Sequence, residues 1–210
     1  MSDPSGSETA QAAPSASTSK RPKPGERRLQ ILQTLAEMLQ EPGGDRVTTA
    51  ALAARIQVSE AALYRHFASK AQMFEGLIEF IESTVFGLIN RIATEESDGL
   101  RQLSSMLKML LNFAERNPGM TRVLIGDALV TEDHRLLVSI NQILDRIETS
   151  LKQSFRTAVS QEKLAPSTDV ADRANLAMSF VMGRWVRFAK GGFKNSPSPL
   201  SEQQLAVLIT

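Results

Sequence analysis

The segment TTAALAARIQVSEAALYRHFASK, residues 48–70, limits the fold more than any other part of the chain. A hydroxyl at Thr48 or Thr49 is placed to accept an orphan amide at the start of a helix that turns Leu52, Ala53 and Ile56 inward. Ser59 offers the next cap. Ser69, with Gln72 three residues on, has the S-x-x-Q form of a capping box that opens a long helix. A helix of about seven residues, a turn of about three and a second short helix is helix-turn-helix spacing. With Ser59 as the cap, Ala62, Leu63 and Phe67 join Ile56 and Val58 against Leu52 and Leu32, while Glu60, Ala61, Tyr64 and Arg65 stay outward. The slim leading face supplied by Ala61 and Ala62 suits a major groove, where Tyr64 and His66 reach phosphates or base edges as hydrogen-bond donors. Lys70 and the first amides of the following helix form a phosphate seat. The competing reading is a small helical hairpin in a bundle, with incidental polar residues. In the turn stands Gln57; if that position is left-handed, a residue other than glycine costs roughly 1–2 kcal/mol.

Charge favours the nucleic-acid reading. The net charge is only +1, but residues 20–70 hold nine Lys/Arg against five Asp/Glu, whereas residues 71–210 hold fifteen against sixteen. A phosphate backbone senses that local excess. Residues 1–24 contain four of the nine prolines, six serines and no bulky apolar side chain after Met1, so burial cannot offset ordering entropy and a disordered tail is expected. Its distal end, KRPKPGERR, sets Lys20, Arg21, Lys23, Arg27 and Arg28 before and into the first helix. A solubilising linker and an arm lying on DNA are both open readings.

Other classes find little support. No apolar run approaches the roughly 18 residues of a membrane span, and the N-terminus lacks a hydrophobic signal core, so a cytoplasmic protein without a membrane partner is expected. The chain has no cysteine, which excludes disulfides and thiolate metal sites. Its two histidines, His66 and His134, lie far apart, and no glycine-rich phosphate loop is present. Neither catalysis, nor a cofactor, nor a metal is expected, and His134 reads as a surface residue in a helix's first turn.

From Glu26 onward apolar residues recur at helical spacing, without a strand pattern. Leu29, Ile31, Leu32, Leu35, Ala36 and Leu39 mark a first helix stopped by Pro42, Gly43 and Gly44. A fourth helix is predicted from Lys70 to about Thr94, with Phe74, Leu77, Ile78, Ile81, Val85, Leu88, Ile89 and Ile92 as its apolar rows. A fifth, from about Leu100 to Arg116, carries Leu100, Leu103, Leu107, Leu110 and Ala114, plus a second row of Met106, Met109 and Phe113. A helix apolar on two sides lies deep in a core or offers one side to a partner, a role that methionine suits. Asn117 as cap and Pro118 at the first helical position start the next helix. Glu115 and Arg116 thus lie at a tight corner able to grip an extended apolar and acidic peptide.

Further on, Leu137, Ile140, Leu144, Ile147, Leu151 and Phe155 form a stripe, with Glu148 and Lys152 as a favourable pair on the solvated side. The next helix, about 168–190, alternates small and large residues through Ala171, Ala174, Ala177, Val181, Trp185 and Phe188. Two such helices packed against a symmetry mate make a four-helix interface, with Leu144, Ile147, Leu151, Ala177, Val181 and Trp185 as the expected dimer contacts. Ser201 and Gln204 form another capping box, for a short final helix. The expected fold is all-α, divided into a tail (1–24), a helix-turn-helix domain (25–69) and a helical dimerisation and partner-binding body (70–210).

The 48–70 segment resembles the DNA-binding domain of the TetR family. ALYRHF, LIEFIE, ERNPGMTRVL and INQILDRIE, in this order and at these separations, extend the likeness to the nucleoid-occlusion branch of that family, closely over residues 26–156 and loosely beyond. The resemblance implies a homodimer with a three-helix head and a larger helical body, associated with the nucleoid. It binds palindromes in double-stranded DNA, singly or as several dimers per site. While on DNA it engages the C-terminal tail of the division GTPase FtsZ, preventing a division ring from maturing over the nucleoid. The implied DNA contacts are Thr48, Ser59, Ala62, Tyr64, His66 and Lys70, with Thr49, Arg65, Arg27 and Arg28 beside them. The implied FtsZ-tail groove, between the fourth and fifth helices, involves Phe80, Met109, Arg116, Asn117 and Met120. Leu88 stands where that branch has a basic residue and Asn112 where it has glycine, with Arg91 one turn beyond Leu88 as a substitute charge. The alternative is a ligand-responsive repressor of the same family, which needs a body cavity with convergent polar groups.

Overall fold

The computed structural model describes residues 24–41 and 47–210, and every regular element among them is helical. Most of the basic tail, with Lys20, Arg21 and Lys23, lies outside the described residues, as does the Pro42, Gly43 and Gly44 stop. The head consists of α1 (Pro24–Gln40), α2 (Thr49–Arg55) and α3 (Glu60–Tyr64). The body follows with α4 (Lys70–Glu95), α5 (Gly99–Arg116), α6 (Pro118–Leu124), a 3-10 turn (Asp127–Leu129), α7 (His134–Ser160), α8 (Val170–Lys190) and α9 (Glu202–Ile209).

The hydroxyl caps hold where the sequence places them. Thr48 and Ser59 each accept the amide three residues on, from Ala51 and Ala62, at 3.2 Å. Gln57 is left-handed, with φ of 56°, so this turn carries the strain that a glycine would avoid. The box at Ser69 is altered: Ser69 accepts the Gln72 amide, but Gln72 Oε1 reaches the amide of Ala68, one residue before the cap. At Ser201 and Gln204 the reciprocal box is complete. Asn117 does not cap; its Nδ2 donates back to the Phe113 carbonyl at 2.8 Å while Pro118 starts α6. Aspartates do the capping of α5, α7 and α8, at Asp98, Asp133 and Asp169.

Head and body share one apolar core. Ile31, Leu35, Leu63 and Phe67 belong to the same buried cluster as Leu107, Leu151, Phe155 and Trp185. Two junctions hold α1, one within the head and one to the body. On one side the guanidinium of Arg28 lies 4.0 Å over the Phe67 ring and donates to the His66 carbonyl. On the other, α6 meets α1 so closely that a Cβ on Gly119 would stand 1.8 Å from the Ala36 carbonyl oxygen. Arg122 completes the second junction by donating to the Leu39 carbonyl, one of the orphan acceptors at the end of α1, and to Asp127.

Trp185, Phe155 and Leu107 fill the centre of the body, and the Trp185 indole donates to the Leu110 carbonyl. Met106 and Phe113 are buried, so the second apolar row of α5 is mainly core; Met109 is half-buried. Leu88, read as part of an apolar row, is instead 37% exposed on α4.

The expected dimer contacts need correction. Ile147, Leu151, Ala177, Val181 and Trp185 have no exposed surface within the protomer, and Leu144 is half-buried. Their stripes are consumed by α5, α7 and α8 packing on one another. Periodicity reveals an apolar face but not which element covers it. What α8 turns outward is Leu176, 51% exposed, with Ser179 and Gly183 along the same side.

Candidate nucleic-acid interface and adjoining groove

The DNA-facing candidates converge at the ends of α2, α3 and α4. Thr49 Oγ1 donates to Glu60 Oε2 at 2.7 Å, which ties the start of α2 to α3, and the Tyr64 hydroxyl lies 3.4 Å from the same Thr49 oxygen, a long contact. Thr48, Ser59, Tyr64 and Arg65 are exposed, Tyr64 at 44%. Ala62 is half-buried behind the Ser59 cap, leaving little bulk on the leading face. Arg65 has no ion partner among the described residues. This surface presents two hydroxyls, a phenol and a free guanidinium in one patch, a donor set matched to phosphate and base edges.

Other expected contacts are differently employed. Arg28 is committed to Phe67 and His66 inside the head, and Arg27 donates to Gln30 at 2.7 Å. His66 is half-buried. The Lys70 Nζ stands 2.5 Å from Glu132 Oε1, a carboxylate of the body just ahead of α7. Sequence separation hides that pair, since its members stand 62 positions apart.

The expected partner residues largely meet. Phe80 of α4, Arg116 and Asn117 at the α5–α6 corner, and Gly119 and Met120 of α6 line a groove of about 520 Å3. Its opposite wall is Gln33, Ala36, Glu37 and Gln40 of α1. The groove therefore runs between head and body and not simply between α4 and α5. Met109 does not line it: seven residues before Arg116 on one helix places it about 10 Å back. The signal for the α1 wall was present as polar residues at helical spacing, but it reads as an ordinary solvated face.

The corner is rigidly built. Thr121 Oγ1 is buried and donates within reach of the Ala114 and Asn117 carbonyls. The Glu115 carboxyl is held below its usual range by hydrogen bonds from Ser196 and Ser198, which moor the loop before α9. Arg116 itself is exposed and has no ion partner among the described residues, so its charge is available at the groove.

A capped helix-turn-helix head carried on a helical body defines a class, the DNA-binding regulators. Residues 31–77 match the family described as Bacterial regulatory proteins, tetR family, and residues 97–210 match that described as Tetracyclin repressor-like, C-terminal domain. A protein named Nucleoid occlusion factor SlmA from Marinomonas sp. (strain MWYL1) is 50% identical over 186 residues, covering 89% of this chain and 94% of that one. Its namesake from Aliivibrio fischeri (strain MJ11) is 48% identical over 188 residues, covering 89% and 96%. The chain belongs to the tetR family, in the group of SlmA proteins. Among solved structures, the fatty acid degradation regulator FadR from Bacillus halodurans superimposes with a TM-score of 0.75 at 15% identity, covering 90% of this chain and 97% of that one. The regulator PfmR from Thermus thermophilus gives 0.72 at 19%, covering 86% and 97%. These two speak for the fold alone.

Proposed function

We propose that this protein is a nucleoid occlusion factor. As a homodimer it binds chromosomal palindromes with residues 59–66 of each head in successive major grooves. There it engages the C-terminal tail of FtsZ and antagonises ring assembly over the nucleoid, which places it in the cytoplasm on the chromosome. The observation that carries the reading is the groove in which Phe80, Arg116, Asn117 and Met120 converge. Phe80 and Met120 supply apolar contact, and Arg116 supplies charge for an acidic peptide. One wall of that groove is α1, a helix of the DNA-binding head. DNA that fixes the head thereby selects one groove geometry, which is a physical route for linkage between the two ligands. Relatives about 50% identical over most of the chain, both named Nucleoid occlusion factor SlmA, favour this reading over a ligand-responsive repressor.

Fluorescence anisotropy of a labelled FtsZ C-terminal peptide, titrated with and without chromosomal fragments that the protein itself retains, tests the proposal. Saturable binding that tightens on DNA, and that Arg116→Asp weakens without loss of DNA affinity, is expected. Firm DNA binding with no peptide binding in either state would overturn it.

A further inference from the structure

The Lys70–Glu132 pair carries an inference about how DNA affinity is set. Lys70 opens α4 beside Thr48 and Thr49, at the surface assigned above to DNA. Its ammonium also lies 5.7 Å from the Phe74 ring centroid. Glu132 comes from the body, between the 3-10 turn and α7, and its side chain is only 10% exposed against 32% for Lys70. Its neighbour Asp133 is taken by Arg135, so Glu132 and Lys70 have each other as their ion partners. A lysine committed to a carboxylate must leave it, or share its protons, before it can neutralise a phosphate.

We infer that Glu132 is an internal competitor of the DNA backbone for Lys70: the body carboxylate holds the lysine in the free protein, and a phosphate takes it over on binding. This rests on the reading of Lys70 as a DNA contact. The exchange costs the protein something specific. Glu132 is largely shielded from water, and without Lys70 its charge loses its compensation, so the segment that carries it must rearrange to hydrate it. That segment is short and lightly tied, with the Glu132 amide donating to the Leu129 carbonyl and the Leu136 amide to the Asp133 carbonyl. It also lines a cleft of about 780 Å3 through Asp127 and Val130, opposite Gln40 at the end of α1. DNA engagement at Lys70 therefore loosens one wall of a body cleft, a route from DNA to body that does not pass through the helix-turn-helix.

The test is a double-mutant cycle on the full chain, with DNA affinity and its salt dependence measured on one palindromic fragment. Lys70→Gln is expected to weaken binding and lower the salt slope by about one per protomer. Glu132→Gln, nearly isosteric, is expected to tighten binding by roughly two- to five-fold per protomer, the range for a partly exposed ion pair. In the Lys70→Gln background Glu132→Gln is expected to change affinity by less than about 1.5-fold. Equal tightening in both backgrounds would show a through-space effect on the DNA and overturn the competition while leaving the Lys70 contact standing. An unchanged affinity and salt slope in Lys70→Gln would instead remove the contact itself. Hydrogen exchange supplies an independent readout: the amides of Glu132 and Leu136 are expected to exchange faster in the DNA complex of the native chain. Unchanged or slower exchange there would overturn the release of Glu132.

Discussion

Gly119→Ala examines the junction on which the groove depends. The added methyl would stand 1.8 Å from the Ala36 carbonyl oxygen, and its other near neighbours are the Ala36 carbonyl carbon and Cα. All three are backbone atoms, so no rotamer change relieves the clash and α6 must move away from α1 until the contact exceeds 3.0 Å. Overpacking of this kind costs about 1–3 kcal/mol, and a backbone obstacle belongs at the upper end. The higher helix propensity of alanine returns up to about 1 kcal/mol. The net loss is about 2 kcal/mol, which for a chain of this size lowers Tm by about 4–8 °C. Gly87→Ala is the control, since a Cβ there meets nothing within 4 Å and the same exchange in mid-helix is expected to raise stability slightly. Thermal unfolding followed by far-ultraviolet circular dichroism, with both variants measured free of DNA, decides the matter. If Gly119→Ala matched or exceeded the native Tm, the close α1–α6 contact would be refuted, and the α1 wall of the groove with it.

Three further outcomes follow from the same geometry. Tyr64→Ala is expected to weaken DNA binding by about 1–3 kcal/mol with Tm unchanged, as measured by anisotropy and calorimetry side by side; loss of folding would show that the Thr49 bond is structural. Leu176→Glu is expected to convert dimer to monomer in sedimentation analysis, whereas Ile147→Ala, buried within the protomer, is expected to lower Tm with the dimer retained. Below pH 4 stability is expected to fall with pH, because the cap carboxylates are favoured as anions in the fold. Asp133, bound by Arg135, titrates at about 2 against an ordinary 3.8. Asp98, held first by Lys163, and Asp169, held first by the Asp172 amide, are lowered as well. Depressed carboxylates contribute fully above their unfolded values and lose that contribution as pH falls through the folded ones. Asp133→Asn keeps a capping oxygen and is therefore expected to flatten the calorimetric Tm profile between pH 4 and 2; an unaltered slope would contradict the assignment.

The helices were legible because both their periods and their stops are local. Thr48, Ser59 and Ser201 announce their caps within three residues, and Pro118 announces the start of α6. The positions of side chains relative to other elements were not legible. Ile147 and Trp185 stand in the apolar patterns of two successive helices in any reading of the sequence, yet only packing shows that α5, α7 and α8 use these up within one protomer. Arg28 looks like a phosphate ligand on composition, and the Phe67 ring that holds it is 39 residues away. The residues proposed for a partner groove were reached through family resemblance, and four of the five meet in space. Their opposite wall, Gln33 to Gln40 of α1, carries no sequence mark that separates it from an ordinary exposed face.

The two proposed couplings constrain each other. At its C-terminal end α1 is fixed to the body by the Gly119 contact and by Arg122, which binds the Leu39 carbonyl. At the start of α4, Lys70 and Glu132 join the DNA-facing end of that helix to the segment ahead of α7. Because α1 also packs on α4 within the shared apolar core, the head responds to DNA by a small adjustment about the α1–α6 junction, not by detachment. The groove lies against that junction, so its width changes little and its affinity for a peptide shifts modestly, within the roughly 5- to 150-fold span typical of coupled sites. Breaking the Lys70–Glu132 tie lowers what DNA must do to reach the same arrangement. In Glu132→Gln the peptide is thus expected to bind more tightly without DNA and to gain less when DNA is added, a thermodynamic cycle closed by four anisotropy titrations. An undiminished gain would mean that DNA and peptide communicate entirely through α1.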